Sequence, residues 1–166
     1  MFKKLLLVAA LIIPMLASAQ TLKVGIVDTN DIIAKLPDTT AAQKQIEDTS
    51  KKYDEEYAKL GEEMKRMYDE LQKMGENELP AIRERKTREF TDYQQKIQQF
   101  EQNAMQDIQK LQNDLMAPIM QKVRGAIEAV GKEGGYSVIQ EKASMLFYAA
   151  PVVDITPEVK AKLGIR

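Results

Sequence analysis

The feature that most constrains this chain is a stretch from Thr40 to Lys132 in which proline occurs only at Pro80 and Pro118. Most of its residues are strong helix formers: Glu, Lys, Gln, Met, Leu, Ala or Arg. One interruption divides it, Gly75-Glu76-Asn77-Glu78-Leu79-Pro80. Glycine suits the position just past a helix end, and proline suits the first turn of the next helix. The stretch therefore reads as two long helices folded back on each other, with a tip near residues 75–80. At a rise of ~1.5 Å per residue, the arm Thr40–Met74 would be roughly 50 Å long.

The apolar positions set the type of packing. Tyr53, Tyr57, Leu60, Met64, Met67, Leu71 and Met74 are separated by alternating steps of four and three, which is a coiled-coil seam. On the return arm, Ile97, Ile108, Ile119 and Val130 recur every eleven residues, as do Phe100 with Leu111 and Ala104 with Leu115. An eleven-residue repeat relaxes the left-handed supercoil that a heptad imposes. The aromatic residues Tyr53, Tyr57, Phe90, Tyr93 and Phe100 are expected in the core of this pairing. Antiparallel pairing about a tip near Asn77 brings Pro118 opposite Pro37, and these prolines are expected to mark a hinge at the root of the hairpin.

The ends of the chain have a different character. Lys3 and Lys4 precede an apolar run from Leu5 to Leu16 and then Ala17-Ser18-Ala19, the pattern of an export signal cleaved after Ala19. The run is too short to span a bilayer, which needs ~20 apolar residues. Residues 20–39 offer a strand, Leu22–Val27, then a short helix capped by Asp28-Thr29-Asn30 and ended by Pro37. Residues 119–166 offer the end of the long helix, a glycine-rich stop at Gly131–Gly135, strands at Tyr136–Gln140 and Met145–Ala149 joined as a hairpin, and a last helix opening at Thr156-Pro157-Glu158. The fold class expected is α+β, mostly α, with a long antiparallel helical hairpin at residues 40–118 and a small β-stranded body. So few residues outside the helices bury little surface alone, so the body is expected to self-associate.

Composition narrows the chemistry. The sequence has no cysteine and no histidine, which excludes disulfides, His metal sites and nucleophile–His pairs. No cofactor, metal or catalytic set is expected, and the chain does not read as an enzyme. Loss of Lys3 and Lys4 with the leader leaves 22 basic against 25 acidic residues, a net charge of −3, which does not favour nucleic acid as partner.

Three blocks then carry a resemblance. Lys23-Val24-Gly25-Ile26-Val27-Asp28, Gly135-Tyr136-Ser137-Val138-Ile139-Gln140 and Asp154-Ile155-Thr156-Pro157-Glu158-Val159, set around a hairpin with a proline on its return arm, resemble the Skp (OmpH-like) periplasmic chaperone family. The resemblance implies a periplasmic homotrimer whose helical tentacles surround a cavity. It implies that unfolded outer-membrane β-barrel proteins are held there without ATP on their way to the outer membrane. Met105, Met116 and Met120 lie off the eleven-residue stripe and are the expected client-binding positions, since flexible methionines accept many sequences. Arg83, Arg85, Lys86 and Arg88 form the one dense basic patch, which the resemblance connects with lipopolysaccharide or another lipid head group. The chain departs from the strongly basic members of that family in carrying more acidic than basic residues along its helices. A structural or adaptor coiled coil of the cell envelope is the competing reading.

Overall fold

The computed structural model describes residues 22–75 and 78–165. The expected leader and the tip residues 76–77 lie outside them. The described chain runs β1 (Val24–Val27), α1 (Thr29–Lys35), α2 (Pro37–Lys73), α3 (Pro80–Glu133), β2 (Val138–Glu141), a single 3-10 turn (Lys142–Ser144), β3 (Val153–Asp154) and α4 (Thr156–Lys162). Contacts divide it into two compact units. One comprises the residues up to Ile32 with those from Gly125 onward; the other is Ile33–Arg124.

The second unit is the helical hairpin. Pro37 is placed in the first turn of α2, where its missing N–H costs nothing, so α2 starts three residues before the expected Thr40. Contacts between α2 and α3 fix an antiparallel register. The Tyr53 hydroxyl donates to Asp107 at 2.7 Å, Lys86 Nζ meets Glu70 at 3.1 Å and Lys122 Nζ meets Asp38 at 2.6 Å. Aromatic pairs add to the seam, Tyr53 with Phe100 at 5.9 Å and Tyr68 with Phe90 at 6.2 Å between ring centroids. Such pairs contribute about 0.5–1.5 kcal/mol each beyond their burial. This register sets Pro118 beside Ala41 and Ala42, about one turn from the expected partner Pro37. The reason is that the chain turns nearer Leu79 than Asn77. α3 is continuous through Pro118.

Two helices alone cannot bury a whole seam. Leu60, Ile97 and Ala104 are buried, but Met64, Met67, Phe90 and Tyr93 are only half-buried. Tyr57, expected in the core, is 47% exposed. Its seam position is right, but the small Ala104 of the return arm lies beside it in a shallow recess and leaves the ring open to solvent.

The first unit is built on β1, which pairs in parallel with β2 on one side and β3 on the other. The expected β-hairpin is not formed. Val138–Glu141 spends its backbone bonds on Val24–Val27, and residues 145–149 have no strand pairing, with Leu146 and Phe147 fully or largely exposed. Ile26, Ile32, Ile155 and Val159 are fully buried and form the core, with Ala126 and Val130 of α3.

The ends of the parallel strands are tied by polar side chains. Asp28 Oδ1 accepts from the Asp31 N–H at 2.9 Å and caps α1. Glu141 accepts from both the N–H and the hydroxyl of Thr29. Thr156 Oγ1 accepts from the Asp28 N–H at 2.9 Å and donates to Asp154 Oδ1 at 2.6 Å. Asp154 also accepts from the Thr156 N–H at 3.0 Å, at the start of α4. Lys142 Nζ donates to its other oxygen at 2.8 Å.

Two glycines show why the sequence is small after α3. Gly135 has φ +66°, the left-handed conformation that ends a helix. At Gly134 an added Cβ would lie 2.5 Å from the Tyr136 ring and 3.0 Å from the Val130 carbonyl oxygen. Gly134→Ala is therefore expected to destabilise the protein by about 1–3 kcal/mol through overpacking, read as a lower thermal midpoint by circular dichroism.

Burial pushes the Asp154 carboxyl up, but hydrogen bonds from Lys142 and Thr156 outweigh it and hold the group below its ordinary value of 3.8. The stabilisation from this cluster is complete above that value and is lost as pH falls through the lower folded one. Asp154→Asn is expected to lower stability at neutral pH and to flatten the acid limb of the stability curve, measured by urea unfolding across pH.

Candidate functional site

Among the described residues no group of His, Cys, Asp and Glu could hold a metal ion, and no helix is long and apolar enough to cross a membrane. What the described residues offer is accessible apolar surface, and apart from Leu22, Tyr68 and Leu79 it lies in one region of each unit.

In the helical unit it follows α3. Met105, Met116 and Met120 are spaced by eleven and four residues, so they share one face of the helix. Met105 is 67% exposed and Met120 45% exposed, whereas Met116 is half-buried. Met105 borders a recess of about 270 Å³ with Tyr53, Tyr57, Phe100, Ala104 and Ile108. The hydrogen bond that the Tyr53 hydroxyl donates to Asp107, with burial second, raises the phenol above its ordinary value. Tyr57 completes the wall. The heptad steps identified it but assigned it to the core, since periodicity does not show how small the facing residue is.

The basic patch has a different status. Arg83 Nη2 donates to the carbonyl oxygens of Met74 and Gly75 at 3.1 and 2.8 Å, so it caps the end of α2. Arg85 pairs with Glu89, Lys86 with Glu70 and Glu89, and Arg88 with Glu84. All four cations already have partners within the hairpin.

In the strand unit the open surface is Leu146-Phe147-Tyr148, with Val138 and Val153 also exposed. The run of apolar residues was visible in the sequence. Reading it as the second strand of a hairpin concealed that it has no strand partner among the described residues.

A helical hairpin inserted between the first two strands of a small parallel sheet defines a class of α+β protein, and sequence comparison supplies the family. The family model described as Outer membrane protein (OmpH-like) matches residues 23–163. The chain belongs to the OmpH-like family. A solved structure with the same fold is that of an OmpH-like protein from Caulobacter crescentus CB15, proposed to be an outer membrane chaperone. It has a TM-score of 0.74 and 13% identity, over 88% of this chain and 86% of that one. A search of curated protein sequences returns no match.

The Arg83 contacts imply a local structural duty. Arg83→Ala is expected to cost about 0.5–1.5 kcal/mol of local stability. It should speed amide exchange in the last turn of α2 and the first of α3, and leave exchange in β1 unchanged.

Proposed function

We propose that this protein is an ATP-independent periplasmic holdase. It keeps unfolded outer-membrane β-barrel proteins from aggregating and assists their delivery to the outer membrane. The observation that carries the reading is the accessible apolar face of the hairpin. Met105, Met120 and Tyr57 stand open to solvent, where a hairpin serving only as a spacer would seal them into helix packing.

The chemistry of that face suits the task. A holdase must accept many sequences and release them without fuel, so it gains from numerous weak contacts made by adaptable side chains. Met105, Met116 and Met120 are the client-facing positions in this reading, joined by Tyr57. The family membership supports it, as does the role proposed for the protein from Caulobacter crescentus CB15.

Self-association completes the arrangement. Leu146 and Phe147 are exposed beside a three-stranded sheet whose β3 edge is only two residues long. Burying these side chains between copies would cover both the apolar run and the open edges. A homotrimer, as in the chaperone family that the sequence resembles, would place the hairpins around a common cavity. Contact of Arg83, Arg85, Lys86 and Arg88 with anionic lipid head groups would have to displace their acidic partners, so it is weak and salt-sensitive. Pro118 would serve as a point of bending in the arms.

Light scattering of the protein alone, and after mixing with an outer-membrane barrel diluted from urea, tests the reading. The expected result is a defined oligomer near three chains that takes up one client and holds it in solution. A stable oligomer that leaves the barrel to aggregate would overturn the holdase in favour of an adaptor coiled coil.

A further inference from the structure

The recess between Tyr53 and Met105 combines an apolar floor with an acidic rim, of which Asp54 and Glu101 form the lining part. Its floor is the tilted Tyr53–Phe100 pair, and its walls are Tyr57 and Met105. At about 270 Å³ it lies below the roughly 300–1,000 Å³ of small-molecule sites, a size that suits a single large side chain. The residues Tyr53–Tyr57 and Phe100–Ile108 include Asp54, Glu55, Glu56, Glu101 and Asp107 but no lysine or arginine. Asp107 is engaged by the Tyr53 hydroxyl and Glu56 by Lys59. Asp54 and Glu101 line the recess and have no ion-pair partner among the described residues.

We propose that this recess selects client segments in which an apolar anchor, aromatic or aliphatic, is flanked by lysine or arginine. In an extended chain, residues two positions from the anchor lie on the same side and about 6–7 Å away. A cation there reaches Asp54 or Glu101, and an arginine can also lie over the exposed face of Tyr57. A carboxylate at the same position is repelled. Selection then depends on charge beside the anchor, whatever the net charge of the client. This inference rests on the holdase reading and adds a specificity to it.

The test uses the full mature chain and two fluorescent peptides that share one Leu-Phe anchor, flanked by lysines in one and by glutamates in the other. Anisotropy at low salt should show about tenfold tighter binding of the lysine peptide, falling to less than about twofold in ~0.5 M salt. Asp54→Asn with Glu101→Gln should abolish the discrimination while the anchor still binds. Tyr57→Ser with Met105→Ser should weaken both peptides alike. Equal binding of the two peptides by the wild type, or discrimination that survives D54N/E101Q, would overturn the proposal. So would protection of Tyr57 by the protein's own association, which would put a second copy in the recess. Suppression of barrel aggregation is measured in parallel. If it persists without discrimination, only the recess proposal falls; if it is absent, the holdase reading falls too.

Discussion

The backbone ladder of Val24–Val27 is the interaction on which the rest of the structure depends. β1 is the middle strand, and both of its partners come from the far end of the sequence. Parallel strands cannot be joined by a tight turn; they need a crossover. Here the link between β1 and β2 is the whole of α1, α2 and α3. The three blocks that carry the family resemblance become the three strands and the polar cluster at their ends. Their polar residues are explained by two sets of bonds, Thr156 with Asp28 and Asp154, and Glu141 with Thr29. They hold the ends of the strands together.

The hairpin works under a different constraint. Two paired helices expose more of each seam residue than a larger bundle would, so the side chains that hold the arms together are also partly available to others. Tyr53 and Phe100 stack on each other and still form the floor of a recess. Exposed ion pairs such as Arg66 with Glu63 and Glu70 contribute little individually. They do maintain a solvated face on α2. Pairing of the arms and the exposed apolar surface thus draw on the same residues, where methionine and tyrosine stand in place of leucine.

Much of this was legible in the sequence because helical periodicity is a local property. The two long helices, the turn near Pro80 and the buried Leu60, Ile97, Ala104, Ile119 and Val130 follow from spacing alone. The errors came where partners are distant. Tyr136–Gln140 and Met145–Ala149 looked like neighbours because they are close in sequence, yet β2 took a partner 114 positions earlier, Val24 with Val138. A displacement of the turn shifts every later pair, so Pro118 lies beside Ala41 and Ala42 where spacing about Asn77 predicts Pro37. Tyr57 was assigned to the core because spacing identifies a face without showing what stands across from it. Met105 was separable from the core stripe by its spacing; the acids around it became meaningful only once α2 and α3 were set side by side.

The position of β1 also dictates an order of events. A chain made from its N-terminus presents Val24–Val27 first, but the residues that pair with it are among the last to appear. Closing so long a loop in a disordered chain is slow, because its entropy is lost before any contact rewards it. The hairpin contacts are shorter in range near the tip, such as Glu70 with Lys86, and can zip from there toward the ends. Contact order therefore favours helix pairing first and closure of the sheet last. Until the sheet closes, this protein exposes a bare hydrophobic strand of its own.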